Sequence, residues 1–121
     1  MAEDKKPKQY DLEDRTFKFS KEVREFVRKL PNTLANVEDI RQLVRSSGSV
    51  GANYIEANEA LGKKDFLMRI RISRKEAKES AYWLKLVDIN NNASLENERI
   101  RLAREATELM SIFGAILRKS E

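Results

Sequence analysis

The chain has no cysteine and no histidine among its 121 residues, four glycines, two prolines and a single tryptophan. Without cysteine there is no disulfide framework, no thiolate nucleophile and no thiolate metal site. Without histidine the usual general base near neutral pH is missing, together with Ser–His and Cys–His pairs and the commonest zinc ligand. A carboxylate metal site or a lysine-based mechanism stays open, but no catalytic constellation is visible. The expectation is therefore a protein that is not an enzyme, with no cofactor and no metal.

Scarce glycine and proline also mean few turns. With 36% charged and 7% aromatic residues, this favours long helices over a β-sandwich, which needs frequent turn signals. No apolar run approaches the roughly 20 residues of a membrane span. The opening MAEDKKPKQY is polar and lacks the apolar segment of a signal peptide. A single cytoplasmic domain with no membrane partner is expected.

Residues 1–10, with Pro7 and no periodicity, read as a flexible tail, and residues 11–121 as the folded domain. A basic arm touching nucleic acid is the rival for the tail, but Glu3 and Asp4 nearly cancel Lys5, Lys6 and Lys8.

The first helix is predicted from Asp11, its N-cap, to Leu30, before Pro31. Leu12, Phe19, Val23, Phe26, Val27 and Leu30 share one side, and Phe17 falls away from it. The second helix starts near Thr33 or Asn36 and reaches Leu61, with Val37, Ile40, Leu43, Val44, Val50, Tyr54, Ile55 and Leu61 on one arc. Its middle, SSGSVGAN, reads either as a break or as a continuous helix. Continuity is preferred because the apolar arc keeps its phase, and the small residues then admit a close neighbour. A phosphate-cradling glycine loop is disfavoured, since the Walker spacing and the preceding strand are missing. Gly62 is placed as the residue that ends this helix and Asp65 as the cap of the next.

The third helix, within Gly62–Asp88, carries the whole charge imbalance. Residues 62–88 hold 8 Lys+Arg against 4 Asp+Glu, whereas residues 1–61 hold 11 against 11 and residues 89–121 hold 5 against 5. At 100° per residue three faces separate. Phe66, Ile70, Ser73, Ala77, Ala81 and Leu84 form a core side with small residues matched to the Gly/Ser segment. Arg71, Arg74, Lys78 and Lys85 share a basic arc beside Lys75 and Tyr82, with Glu79 positioned at i+4 to pair with Lys75. Ile72, Trp83 and Leu86 lie on a third side, where a monomer has no evident use for them.

After Asp88-Ile89-Asn90-Asn91-Asn92 a fourth helix is predicted from Leu95 to Arg118, capped by Asn92 or Ser94. Its core stripe is Leu95, Leu102, Ala103, Ala106, Leu109, Met110, Phe113 and Leu117; Ile100 and Ile112 fall outside it and Ile116 at its edge. Four helices with short connections make an all-α, antiparallel up-down-up-down four-helix bundle. Such bundles host di-metal carboxylate sites, but through Glu-x-x-His pairs that this chain cannot form.

Two functional expectations follow. In one, Arg71, Arg74, Lys75, Lys78 and Lys85 follow a phosphate backbone of RNA or DNA while Tyr82 stacks on a base. Assembly through Ile72, Trp83, Leu86, Ile112 and Ile116 would repeat that face. In the other, the chain is a protein–protein scaffold whose basic face meets an acidic partner.

The stretches LEDRTFKFSKEVREFVRKLP (12–31), QLVRSSGSVGANYIEANEALGKKDF (42–66) and RISRKEAKESAYWLKLV (71–87) resemble the bacterial four-helix-bundle proteins encoded by intervening sequences in 23S ribosomal RNA genes. The resemblance covers residues 12–117. It implies a bundle that assembles into a ring, a homopentamer. It also implies kinship with the accessory protein of diversity-generating retroelements, and so nucleic acid and a reverse transcriptase as partners. It brings no catalytic residues, and it leaves open whether the basic face lines a pore or faces solvent.

Overall fold

The computed structural model describes residues 8–120. It contains four helices: α1 (Lys8–Val27), α2 (Leu34–Asn58), α3 (Lys63–Leu86) and α4 (Ala93–Ser120). The tail expected over residues 1–10 lies outside the described residues as far as residue 7. Residues 8–10 are already helical, so Asp11 sits inside α1 and does not cap it.

Each boundary has a local cause. Two turn hydrogen bonds, Lys29 N to Phe26 O and Leu30 N to Val27 O, close the end of α1 before Pro31. Thr33 is the N-cap of α2, its Oγ1 accepting from Asn36 N at 3.1 Å. Gly62 is not a left-handed terminator of α2. It is the extended N-cap of α3 (φ −151°, ψ 170°), three residues before the expected cap Asp65, which lies in the first turn. Asn90 and Asn91 both take positive φ, 56° and 57°, a region that asparagine tolerates. Asn92 Oδ1 then accepts from Leu95 N at 3.0 Å and caps α4.

Each helix packs against its neighbours in chain order, and α1 closes the ring against α4. Among the described residues the backbones of diagonal helices stay apart, and α2 and α4 meet across the core through side chains. That adjacency with short connections is the antiparallel up-down-up-down bundle. The core holds Leu12, Phe19, Val23 and Phe26 of α1; Leu43, Val50 and Tyr54 of α2; Ile70, Ala77, Ala81 and Leu84 of α3; and Leu102, Ala106, Leu109, Phe113 and Leu117 of α4. Tyr54 and Phe113 meet with ring centroids 5.7 Å apart. The apolar arc of α2 overreaches at its end: Leu61 is fully exposed and Ile55 half-exposed.

α2 runs unbroken through SSGSVGAN, and its small residues serve two neighbours. Gly51 faces α1, where a Cβ would stand 2.8 Å from Thr16 Oγ1. Ser46 and Ser80 share a hydrogen bond of 2.9 Å between α2 and α3, and Ser73 Oγ donates to Val50 O at 2.9 Å. The seam between α1 and α4 is ionic. Arg15 pairs with Glu105 and Glu108, Lys29 with Glu98, and Arg101 with Glu22. The Glu105 carboxylate, through hydrogen bonds first, holds Arg15 above its ordinary pKa, and Glu22 does the same for Arg101.

Candidate nucleic-acid interface

On α3 Glu76 and Glu79 turn one way and most of the basic residues another. Arg45 of α2 draws in Glu79 and the buried Glu76, its Nη2 lying 3.5 Å from an oxygen of each. Glu79 is therefore engaged across the helix pair, and the expected Lys75–Glu79 pair gives way to it. A guanidinium between two carboxylates outcompetes one flexible ammonium on the same helix. Arg69, on the same flank, donates to Asn53 Oδ1 at 2.9 Å.

The opposite flank is basic. Arg71, Arg74, Lys75, Lys78 and Lys85 are all exposed. Among the described residues Arg74, Lys75, Lys78 and Lys85 make no ion pair; Arg15, Lys29, Arg45, Arg99 and Arg101 are paired, while Arg28, Arg41, Arg104 and Arg118 are not. Tyr82 is 59% exposed and meets Trp83 edge-on, centroids 4.9 Å apart.

α4 supplies residues that sequence reasoning missed. Gly114 is buried against α3, and a Cβ built there would lie 3.5 Å from Arg118 Nη1 and 4.0 Å from Arg74 Nε. A groove beside Lys85 is lined by Glu96, Arg99, Ile100, Ala103, Arg104, Thr107 and Glu108, so acids and bases alternate in it. The only sequence signal for Arg118 and Arg104 was their spacing outside the α4 core stripe. At the far end Arg99 Nη1 donates to Val87 O at 2.9 Å, satisfying the exit of α3.

The residues expected to form an oligomer interface occupy two places. Ile72, Trp83 and Leu86 follow the stripe of α3 that contains Glu76 and Glu79, on the α2 side. Ile112 and Ile116 follow the stripe of α4 that contains Glu105, whose partner Arg15 is on α1. The two groups thus sit on opposite seams of the bundle. Trp83, Ile112 and Ile116 are partly buried against the core, Ile72 is half-buried, and Leu86 is 49% exposed. Trp83 Nε1 is enclosed and has no acceptor among the described residues. Phe17, which falls away from the α1 core side, is exposed with Lys21 Nζ 5.9 Å from its ring centroid.

Among the described residues no cluster of His, Cys, Asp or Glu is placed to hold a metal ion, and no helix is long and apolar enough to cross a membrane.

A family model described as 23S rRNA-intervening sequence protein matches residues 8–115. A crystal structure from Bacteroides thetaiotaomicron, of a protein with unknown function from the S23 ribosomal protein family, is similar over 93% of this chain and 99% of that one. The identity is 26% and the TM-score 0.77. No curated protein matches the sequence.

Proposed function

We propose that this chain, which belongs to the 23S rRNA-intervening sequence protein family, is a non-enzymatic, ring-forming bundle that binds RNA or DNA through the basic face of α3. One observation carries the reading. Glu76 and Glu79 of α3 are held by Arg45 on one flank, and the opposite flank presents Arg74, Lys75, Lys78 and Lys85 with no ion pair among the described residues. Cations about a helical turn apart displace the counterions of a phosphate backbone, and the exposed Tyr82 offers a stacking surface for a base.

Assembly enlarges the effect. Ile72, Trp83 and Leu86 on one seam and Ile112 and Ile116 on the opposite seam suit a head-to-tail contact, which closes into a ring when the rotation permits. A homopentamer would carry five copies of the basic face and a correspondingly stronger field. The cytoplasm is the compartment in which such a protein meets nucleic acid.

Fluorescence anisotropy with labelled single-stranded RNA and DNA tests the reading. Affinity should fall steeply with salt, and replacing Arg74 and Lys78 together by Gln should reduce the slope by about two. Absence of binding by the assembled wild-type protein at low salt overturns it. A pull-down that recovers protein and nothing nuclease-sensitive would favour a scaffold or accessory role, for example beside a reverse transcriptase.

A further inference from the structure

The geometry points to a phosphate clamp formed by Arg74 of α3 and Arg118 of α4 above Gly114, taking one phosphate group between two guanidinium forks. The ligand assignment, a phosphodiester of a bound strand, rests on the reading above; the clamp itself rests on the following observations.

Arg118 lies four residues beyond Gly114 and reaches back along α4 until Nη1 stands 3.5 Å from the Gly114 Cβ position. Arg74 crosses from α3 to bring Nε within 4.0 Å of the same point. Both residues are exposed, and neither makes an ion pair or hydrogen bond among the described residues. Two like charges converging with no described carboxylate paired to either repel one another. A tetrahedral oxyanion turns that repulsion into attraction, and a planar fork can give it two parallel N–H···O bonds.

A simpler role for Arg118 is to complement the α4 dipole, since it lies in the last turn. That accounts for a cation at this position but not for an arginine arriving from another helix. Lys119, its neighbour in the same turn, serves the dipole without approaching Arg74 and is therefore the natural control. Glycine is unfavourable inside a helix. Here a Cβ would stand in ordinary contact with both side chains, so glycine gives them room without being demanded by a clash. Lys78 lies one turn along from Arg74, so a strand held at the clamp runs on along the basic face of α3.

The test uses the full chain and two readouts. First, the arginine Nε–H resonances are followed by NMR as inorganic pyrophosphate is added. Arg74 and Arg118 should shift together and saturate, and Arg118→Gln should abolish the Arg74 response. Independent or absent shifts overturn the clamp. Second, oligonucleotide affinity is compared for Arg118→Gln and Lys119→Gln, which remove the same charge. Arg118→Gln should weaken binding about tenfold and lower the salt slope by about one, and Lys119→Gln by clearly less. Equal effects overturn a specific contact in favour of a diffuse field. Pyrophosphate binding at both arginines with no oligonucleotide binding by wild-type protein would uphold the anion clamp and overturn the nucleic-acid reading alone.

Discussion

Asn36 and Asp88, 52 positions apart, hold each other through two reciprocal hydrogen bonds. Asn36 Nδ2 donates to Asp88 O at 2.9 Å, and Asp88 N donates to Asn36 Oδ1 at 2.9 Å. The second Nδ2 hydrogen goes to Pro31 O at 3.0 Å. One buried amide thus ties the α1–α2 connection to the start of the α3–α4 connection, at the same end of the bundle. Asn36→Ala strands a backbone N–H and two carbonyls there. It should cost about 2–3 kcal/mol, because unpaired buried polar groups keep their desolvation penalty. Urea unfolding measures this directly. A loss below about 0.5 kcal/mol, within the ordinary range of surface substitutions, would mean that water satisfies these groups equally well.

Gly48 and Gly51 should answer alanine with opposite signs. Both replacements gain about 1 kcal/mol of helix propensity. At Gly51 the new methyl would stand 2.8 Å from Thr16 Oγ1 and 3.1 Å from Thr16 Cβ, so α1 must move. At Gly48 the nearest atom is Arg24 Nη2 at 3.4 Å, the far end of a flexible side chain. Gly51→Ala should therefore destabilise by about 1–2 kcal/mol net of the propensity gain, while Gly48→Ala should be neutral or stabilising. Thr16→Ala should relieve part of the Gly51→Ala loss, which a double-mutant cycle reads as coupling between α1 and α2. Equal behaviour of the two glycines would contradict this packing.

These sites show what was legible in the sequence. Leu12, Phe19, Val23, Phe26, Leu102, Ala106 and Phe113 recur at helical spacing and are buried, because period 3.6 encodes which face is apolar. Period does not encode which neighbour that face meets. Gly48 and Gly51 read as a platform for α3 yet turn toward Ser20 and Thr16 of α1, while Ser46 meets Ser80 of α3. Leu61 was counted in the core by carrying the phase past Asn58, where α2 stops. Lys75 and Glu79 formed a sensible local pair that Arg45, 34 positions from Glu79, takes apart. The basic residues of α3 were legible as a charge excess. That Arg74, Lys75, Lys78 and Lys85 make no ion pair among the described residues, and that Arg118 approaches Arg74, depends on contacts between helices that spacing along one helix does not contain.

Tyr54 should give the bundle an alkaline limit. Burial raises its pKa above the ordinary value of 10.0, with Glu13 adding to the rise and the hydrogen bond with Asn58 partly opposing it. The folded state therefore favours the protonated phenol. The associated stability is fully present below the unfolded tyrosine value and is lost as pH rises through the folded one. As pH rises beyond about 10 the urea midpoint should decline, and Tyr54→Phe should flatten that decline. Tyr82→Phe is the control, because Tyr82 is exposed. An alkaline decline left unchanged by Tyr54→Phe would assign it to other groups.

Leu86 gives the cleanest test of assembly. Trp83→Ala addresses the same surface, but Trp83 is partly buried against the core. Its removal therefore mixes a cavity cost of about 3 kcal/mol or less with any loss of contact between subunits. Leu86 lies three residues further along α3, is 49% exposed, and is not part of that packing. A charge placed there should leave a monomer folded, since surface substitutions usually change stability by less than about 0.5 kcal/mol. In an assembled ring the same charge would be buried in an apolar contact and strongly disfavoured. Leu86→Asp should therefore reduce the particle size in light scattering while the helical circular dichroism stays unchanged. Nucleic-acid affinity should fall with it although no cation has been removed, because fewer basic faces act on one strand. Smaller particles with undiminished affinity would separate assembly from binding. An unchanged particle would move the subunit contact away from the α2–α3 seam.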